Sequence, residues 1–378
     1  MADTPPTSRP RPAAPLGPGA AFHTAEDAPW HPDEPRRFVA WLFGALLLGL
    51  LVIGGFNWYV DATGVTGRDT KWRIAENAKD RTVKLDLYES MRDDPPQTVL
   101  LGSSRVMKFQ PSVVERLTGA RTFNAAVSGG TPEDVLLFTE LIAQRQGRAF
   151  PHLVWGIDVD AFRDKQLKDG LANDPRVQQF LPASTRVTNA IAMVGALLEL
   201  QTLKASIRSV RAGGTQSSGA PKRTYGRDGY QQWELHRPEN AYQLRQQVAK
   251  EIRQYADFIF VRDGYDGIRP DPLAKFREVI RIANEHGDTP TVFVTPYQPQ
   301  AHRILQEHDI DARTREVLAL LRRLQREGEL KFQLDDFTSL DSFGGDPAEF
   351  YDGVHMTTVN TARVLEQLQR DRKLAAPK

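Results

Sequence analysis

Residues 38–60 read FVAWLFGALLLGLLVIGGFNWYV, a run of 23 residues without a charge and with Asn57 as the one strongly polar side chain. No other stretch restricts the architecture of this chain so much. A helix of this length extends about 34 Å, enough to cross a hydrocarbon core of about 30 Å. Trp41 lies near one end, and Trp58 and Tyr59 near the other, where amphipathic rings favour the membrane interface. A buried core helix is the soluble alternative, but few such helices carry an uncharged run this long. A cleaved signal peptide fits poorly, because 37 residues precede the run and no A-x-A-like site follows it. The sequence therefore predicts a transmembrane helix over residues 37–60. Basic residues leave its orientation open: the 20 residues before it hold only Arg36 and Arg37, whereas residues 61–80 hold Arg68, Lys71, Arg73 and Lys79.

The tail over residues 1–36 contains nine prolines among small and charged residues. Such a segment buries too little apolar surface to offset its ordering entropy, so it is expected to be disordered. Its Pro12-Ala-Ala-Pro15 has the spacing of a polyproline ligand, but a solvated tail accounts for it without one. The remaining 318 residues are near-neutral in character, as is the whole chain, with 49 Lys+Arg against 48 Asp+Glu. That balance argues against a general nucleic-acid binder. The absence of cysteine excludes a disulfide scaffold, a cysteine-ligated metal or iron–sulfur centre, a cysteine nucleophile and a lipid anchor on Cys.

Beyond a juxtamembrane linker over residues 61–96, short apolar runs alternate with longer amphipathic ones. Residues 98–101, 122–126, 153–157, 291–295 and 331–334 read as strands. Residues 132–145, with Thr131 as N-cap, and residues 272–286, with Gly287 as a stop, read as helices. So do residues 312–327 and 358–372. Apolar strands separated by helices imply a parallel sheet covered on both faces, a doubly wound α/β domain over residues 97–378. Active residues are then expected just past the carboxyl ends of strands. Between about 160 and 270 the rhythm breaks, with helical patterns over 189–210 and 243–260 and a polar loop at 213–223. This reads as a largely helical insertion, a cap beside the site. Its Lys204, Arg208, Arg211, Lys222, Arg223 and Arg227 suit either an anionic polymer, lipid head groups or a solvated loop.

Three local motifs fall at strand ends. In LLGSSRV (100–106) an apolar strand runs into Gly102, then Ser103 and Ser104, before an expected helix start. In FNAAVSGG (123–130) a strand ends in two glycines that permit close backbone approach. In EFYDGVHMT (349–357) Asp352 and His355 stand three apart before the last helix, the pattern of a base oriented by a carboxylate. Arg105, directly after Ser104, can meet an anionic substrate or brace the loop. His152 and His236 have no metal-ligand spacing around them and read as structural or surface residues; no metal is expected. Phosphate-loop and dinucleotide signatures are absent.

Together the three motifs resemble the SGNH/GDSL hydrolase superfamily, in outline over residues 97–370. The resemblance implies a flavodoxin-like SGNH fold with Ser104, in Gly102-Ser103-Ser104, as nucleophile, and Asp352 and His355 completing a triad. It implies Gly129 as an oxyanion-hole residue. It places Asp158, in Gly156-Ile157-Asp158-Val159, where the family has an oxyanion-binding Asn. An ionised Asp158 cannot donate a hydrogen bond, so it must be protonated, point elsewhere, or leave that donor missing. With the membrane helix, the closer resemblance is to membrane-anchored SGNH-like proteins of envelope-polysaccharide O-acylation, relatives of alginate O-acetylation and of teichoic acid D-alanyl transfer. It implies a serine O-acyltransferase or acylesterase without a cofactor, acting on an acylated carbohydrate and served by a multi-spanning acyltransferase partner. It also implies a single-pass inner-membrane protein with its C-terminal domain periplasmic or otherwise extracytoplasmic. A non-catalytic SGNH-like scaffold or polysaccharide-binding module is the alternative that Asp158 favours.

Overall fold

The computed structural model describes residues 34–66, 70–72, 80–164, 174–181, 183–214, 225–232 and 238–374. The tail with its Pro-x-x-Pro, and His236, lie outside them. The chain divides into two compact units, Met1–Val52 and Ile53–Lys378. Helix α1, Glu34–Val60, begins in the first and is long and apolar enough to span a membrane. Its described side chains before Val52 are exposed throughout.

The second unit is built on a five-stranded sheet. The strands are β1 (Thr98–Gly102), β2 (Thr122–Asn124), β3 (His152–Ile157), β4 (Thr291–Val294) and β5 (Gln333–Asp336). They run in the order β2-β1-β3-β4-β5, and every pairing is parallel. The apolar strand pattern has this cause: successive side chains enter different cores. Val99, Leu101, Leu153, Trp155, Val292 and Val294 enter one cluster, while Leu100, Val154 and Phe293 enter another. Helices α4 (Pro132–Gln146), α9 (Pro270–Glu285), α10 (Pro299–Leu305) and α11 (Ile310–Glu327) cover the first side. Helices α3 (Pro111–Thr118) and α12 (Thr358–Arg370) cover the other. The expected α/β class and parallel sheet are therefore present. Thr131 caps α4 with a full capping box, its hydroxyl accepting from Asp134 N while the Asp134 carboxylate accepts from Thr131 N.

The structure departs from the sequence reading in three places. Residues 61–96 are more than a linker: they contribute α2 (Asp80–Ser90), whose Leu85 and Tyr88 enter the first core. The helix was hidden because its buried face also carries Asp80, Arg81 and Lys84. No helix starts at the serines; residues 104–108 are a string of turns, and α3 begins only at Pro111. The apolar helix of the insertion is two, α6 (Ala183–Leu198) and α7 (Leu200–Arg211), preceded by the short α5 (Pro175–Gln178). The second helical pattern is α8 (Ala241–Ala256), which continues as a π-helical turn, Asp257–Arg262. Among the described residues the insertion holds no strand, only an isolated antiparallel bridge between Tyr225 and Gln231.

Lys84 ties that bridge segment to the edge of the sheet. Its ammonium donates to the carbonyls of Asn124 and Gly229 and lies 4.9 Å from the Tyr225 ring centre. Burial pulls its pKa from 10.5 down to about 7, against the attraction of Asp80 and Asp228. A lysine depressed in the folded state binds fewer protons there than in the unfolded chain. Stability must then rise with pH from the folded value of about 7 toward the unfolded value of 10.5. Lys84→Met is expected to flatten this rise, measured as urea-unfolding free energy across that window.

Candidate active site

Three strand ends and one loop converge. Gly102 closes β1 with φ 145°, and a Cβ there would lie 2.6 Å from the Gly156 carbonyl oxygen. A side chain is thus excluded where β1 and β3 end side by side. The chain then turns: Val106 N donates to Ser103 O and Arg105 N donates to Ser103 Oγ. This turn leaves Ser104 half-buried at the rim while its neighbours Ser103 and Arg105 are buried. From the opposite side of the chain, the loop after β5 closes on itself. Phe350 and Met356 form an antiparallel bridge, and Tyr351 N donates to His355 O at 2.9 Å.

Within that loop the Asp352 carboxylate is fixed three ways. One oxygen accepts from the backbone N–H groups of Val354 and His355, at 2.7 and 2.8 Å. The other meets His355 Nδ1 at 2.6 Å. Burial alone would raise the pKa of this carboxyl, but His355 and the two backbone donors outweigh it and hold it below the ordinary aspartate range. An ionised carboxylate can only accept, so Nδ1 carries the proton and the neutral ring offers Nε2 as an acceptor. Nε2 lies 2.8 Å from Ser104 Oγ. The three residues singled out in the sequence, 251 and 3 positions apart, thus form one hydrogen-bonded line with the polarity of a serine nucleophile, a base and an orienting acid.

The line opens on a cavity of about 190 Å³, lined also by Gly129, Asp158, Asp160, Arg163, Tyr255 and Phe258. Gly129 turns here with φ 55°, a conformation that favours glycine. The neighbouring Gly130 packs so closely that a Cβ would strike the Gly102 carbonyl, so the second glycine seats this turn against β1. The insertion reaches the site through Tyr255 and Phe258, on α8 and its π-helical turn, a feature common at functional sites.

Asp158 does not face the cavity as a donor. Its Oδ1 accepts from Thr295 Oγ1 at 2.8 Å and lies 3.4 Å from Arg105 Nε. Of the three readings open for this residue, the geometry is that of a carboxylate pointed at a cation. Arg105 in turn is wholly engaged. Its guanidinium lies 4.2 Å from the Tyr297 ring centre and donates to Thr295 Oγ1 at 3.2 Å and Tyr255 Oη at 2.7 Å. Burial pushes the Tyr255 hydroxyl well above its ordinary pKa, so it keeps its proton and donates it to Asp160 at 2.8 Å. Asp160 is paired with Arg163, which also meets Asp263 at 3.1 Å. A single polar chain therefore runs from behind the serine turn into the insertion, and Arg105 braces it.

Several contributors gave no clear signal in the sequence. Thr295, Tyr255, Asp160 and Arg163 act through contacts over long sequence separations. Asn124 was more visible, an amide in the apolar TFNAA run. It is fully buried, donates to the carbonyls of Val106 and Phe109 at 2.9 Å, and so holds the far end of the serine turn. His152 is structural: buried beside Asp288, with Nδ1 2.9 Å from that carboxylate. Among the described residues, no group of three or more His, Asp or Glu is placed to hold a metal. Compared with known proteins, the chain matches no family model, and no curated protein aligns with it.

Proposed function

We propose that the protein is a membrane-anchored SGNH-like serine acyltransferase or acylesterase that acts on an envelope or secreted polysaccharide. The observation that carries this reading is His355 joining Ser104 at 2.8 Å to Asp352 at 2.6 Å, at the carboxyl edge of a parallel sheet. The order of the parts supports it too: serine after β1, glycines after β2, and the Asp-His pair before the last helix. In this mechanism His355 Nε2 removes the Ser104 proton as Oγ attacks an ester carbonyl. Asp352 stabilises the imidazolium, which then protonates the leaving alkoxide. The N–H groups of Ser104 and Gly129 receive the oxyanion. Asp158, paired with Arg105, adds no donor, and a missing donor typically costs on the order of 10²–10³ in rate. Resolution of the acyl-enzyme by water makes an esterase, and by a sugar hydroxyl a transferase. Helix α1 supplies the anchor in an inner membrane, with the C-terminal domain extracytoplasmic and a multi-spanning acyltransferase partner as the acyl source. Reporter enzymes fused after residue 61 are expected to be active only when of the periplasmic kind.

The second reading is a non-catalytic scaffold, favoured by the absent donor at Asp158. A serine-reactive fluorophosphonate separates the two. The full-length protein is expected to gain one adduct by intact mass, and Ser104→Ala and His355→Ala to gain none. A folded wild-type protein that stays unlabelled moves the assignment to the scaffold.

A further inference from the structure

Helices α6 and α7 carry their chemistry inside out. Residues 187–198 of α6 hold no charge, and Val187, Ile191 and Val194 are 60, 69 and 53% exposed. On α7 the buried side chains are Thr202, Ser206 and Ser209, while Leu200, Ile207 and Val210 face outward. A helix that meets water has the reverse arrangement, with its apolar stripe turned inward. Taken together the pair is apolar enough for a membrane span, yet it bends by 62° between Leu198 and Leu200. Exposed apolar side chains gathered in this way mark a place where something other than water is met.

The position of the pair identifies what is met. Asn57 Nδ2, three residues from the end of α1, donates to the Leu197 carbonyl at 2.7 Å. Leu198 sits 3.3 Å from where a Cβ on Gly54 would be. Gly54 and Asn57 are three apart and so share one face of α1. Helix α7 is fastened to the chain just beyond: Ser209 Oγ donates to the Trp72 carbonyl, and Thr70 Oγ1 to the Val60 carbonyl at 2.7 Å. The uncharged run that ends at Val60 is about 34 Å long against a core of about 30 Å, and it closes on Trp58 and Tyr59, rings that favour the interface. Its last turns, where α6 is attached, fall at the boundary between hydrocarbon and head groups. Lys204, Arg208 and Arg211, all exposed on α7, can reach lipid phosphates from there while their stems lie along apolar surface.

We infer that α6 and α7 are a second membrane element, α6 embedded by its outward apolar face in the leaflet beside the C-terminal domain and α7 lying at the head groups with Leu200, Ile207 and Val210 toward the acyl chains. This rests on α1 being the membrane anchor. The same insertion carries Tyr255 and Phe258 on the wall of the active-site cavity, so lipid contact bears on the part of the chain that shapes the acyl site.

The chain has no cysteine, so single cysteines report without background. The full-length protein is reconstituted in phosphatidylcholine–phosphatidylglycerol vesicles with an environment-sensitive fluorophore on Ile191→Cys or Val194→Cys. Leu47→Cys reports α1, and Glu329→Cys, at an exposed site on the domain, is the aqueous reference. The expected result is a blue-shifted emission at positions 191 and 194 that is largely lost to a nitroxide-labelled lipid and spared by iodide, as at position 47. Iodide quenching at 191 and 194 with lipid quenching at 47 overturns the inference and leaves the anchor standing. Iodide quenching at all three overturns both. Protection at 191 and 194 from both quenchers assigns the face to protein, a second copy included, and also overturns it.

Discussion

Ser104→Ala is expected to reduce turnover of an activated ester by on the order of 10⁶-fold, and His355→Ala by nearly as much. The two losses should not add. Once either end of the Nε2–Oγ hydrogen bond is gone, the other has no reaction step to serve, so the double variant matches the worse single one. Asp352→Asn is the more discriminating change. The amide can still accept from the backbone N–H groups of Val354 and His355, so the loop keeps its shape. Its NH2 group, placed where a carboxylate oxygen now faces Nδ1, forces the imidazole proton to Nε2. The ring then cannot accept from Ser104, and turnover should fall by about 10⁴-fold with the melting temperature little changed. Steady-state kinetics beside circular dichroism checks this. Full activity in Asp352→Asn would mean that His355 is not the base, whatever the distance to Ser104.

The carboxyl side of this site was readable because chemistry there is local. Asp352 and His355 lie in one loop, and two of the three bonds that fix the carboxylate come from backbone two and three residues on. The strands were readable for a different reason. A parallel strand buried on both faces has no polar side to show, so β1, β3 and β4 appear as unbroken apolar runs. Helix α2 was not readable, because a helix that buries Arg81 against Asp134 and Lys84 against main-chain carbonyls has lost its amphipathic pattern. The role of Asp158 was out of reach for the same reason on a larger scale. Its hydrogen-bond partner Thr295 is 137 residues away, and Tyr255, which closes the other end of Arg105, is 150 residues from that arginine. Reading the break between α6 and α7 also required the fold. Glu199 is extended, φ −67° and ψ 138°, between two helical stretches, and no Gly or Pro stands next to it to mark the break.

Arg105→Ala should be the most destabilising single change near the site. The side chain is 2% exposed and its partner Asp158, on the cavity wall, 13%, so its removal leaves a half-buried carboxylate without its cation while Thr295 still donates to it. Breaking a fully buried pair from one side typically costs about 3–5 kcal/mol, because the cost is that of the abandoned charge, and the cavity beside Asp158 lowers it here. Arg105 also follows Ser104 directly, and its stack on Tyr297 and bond to Tyr255 are what hold that stretch of the turn to α8 and the end of β4. Ester turnover should therefore fall along with stability. Asp158→Asn is expected to be milder, since the amide oxygen still accepts from Thr295 and Arg105 keeps Tyr255, Tyr297 and Thr295. The decisive measurement is a double-mutant cycle in urea. If the pair acts as argued, Arg105→Met with Asp158→Leu, which removes both charges and fills their volume, is less destabilised than Arg105→Met alone. A double variant as unstable as the sum of its parts would show that Arg105 is held for its packing between the tyrosines, and that Asp158 answers no charge.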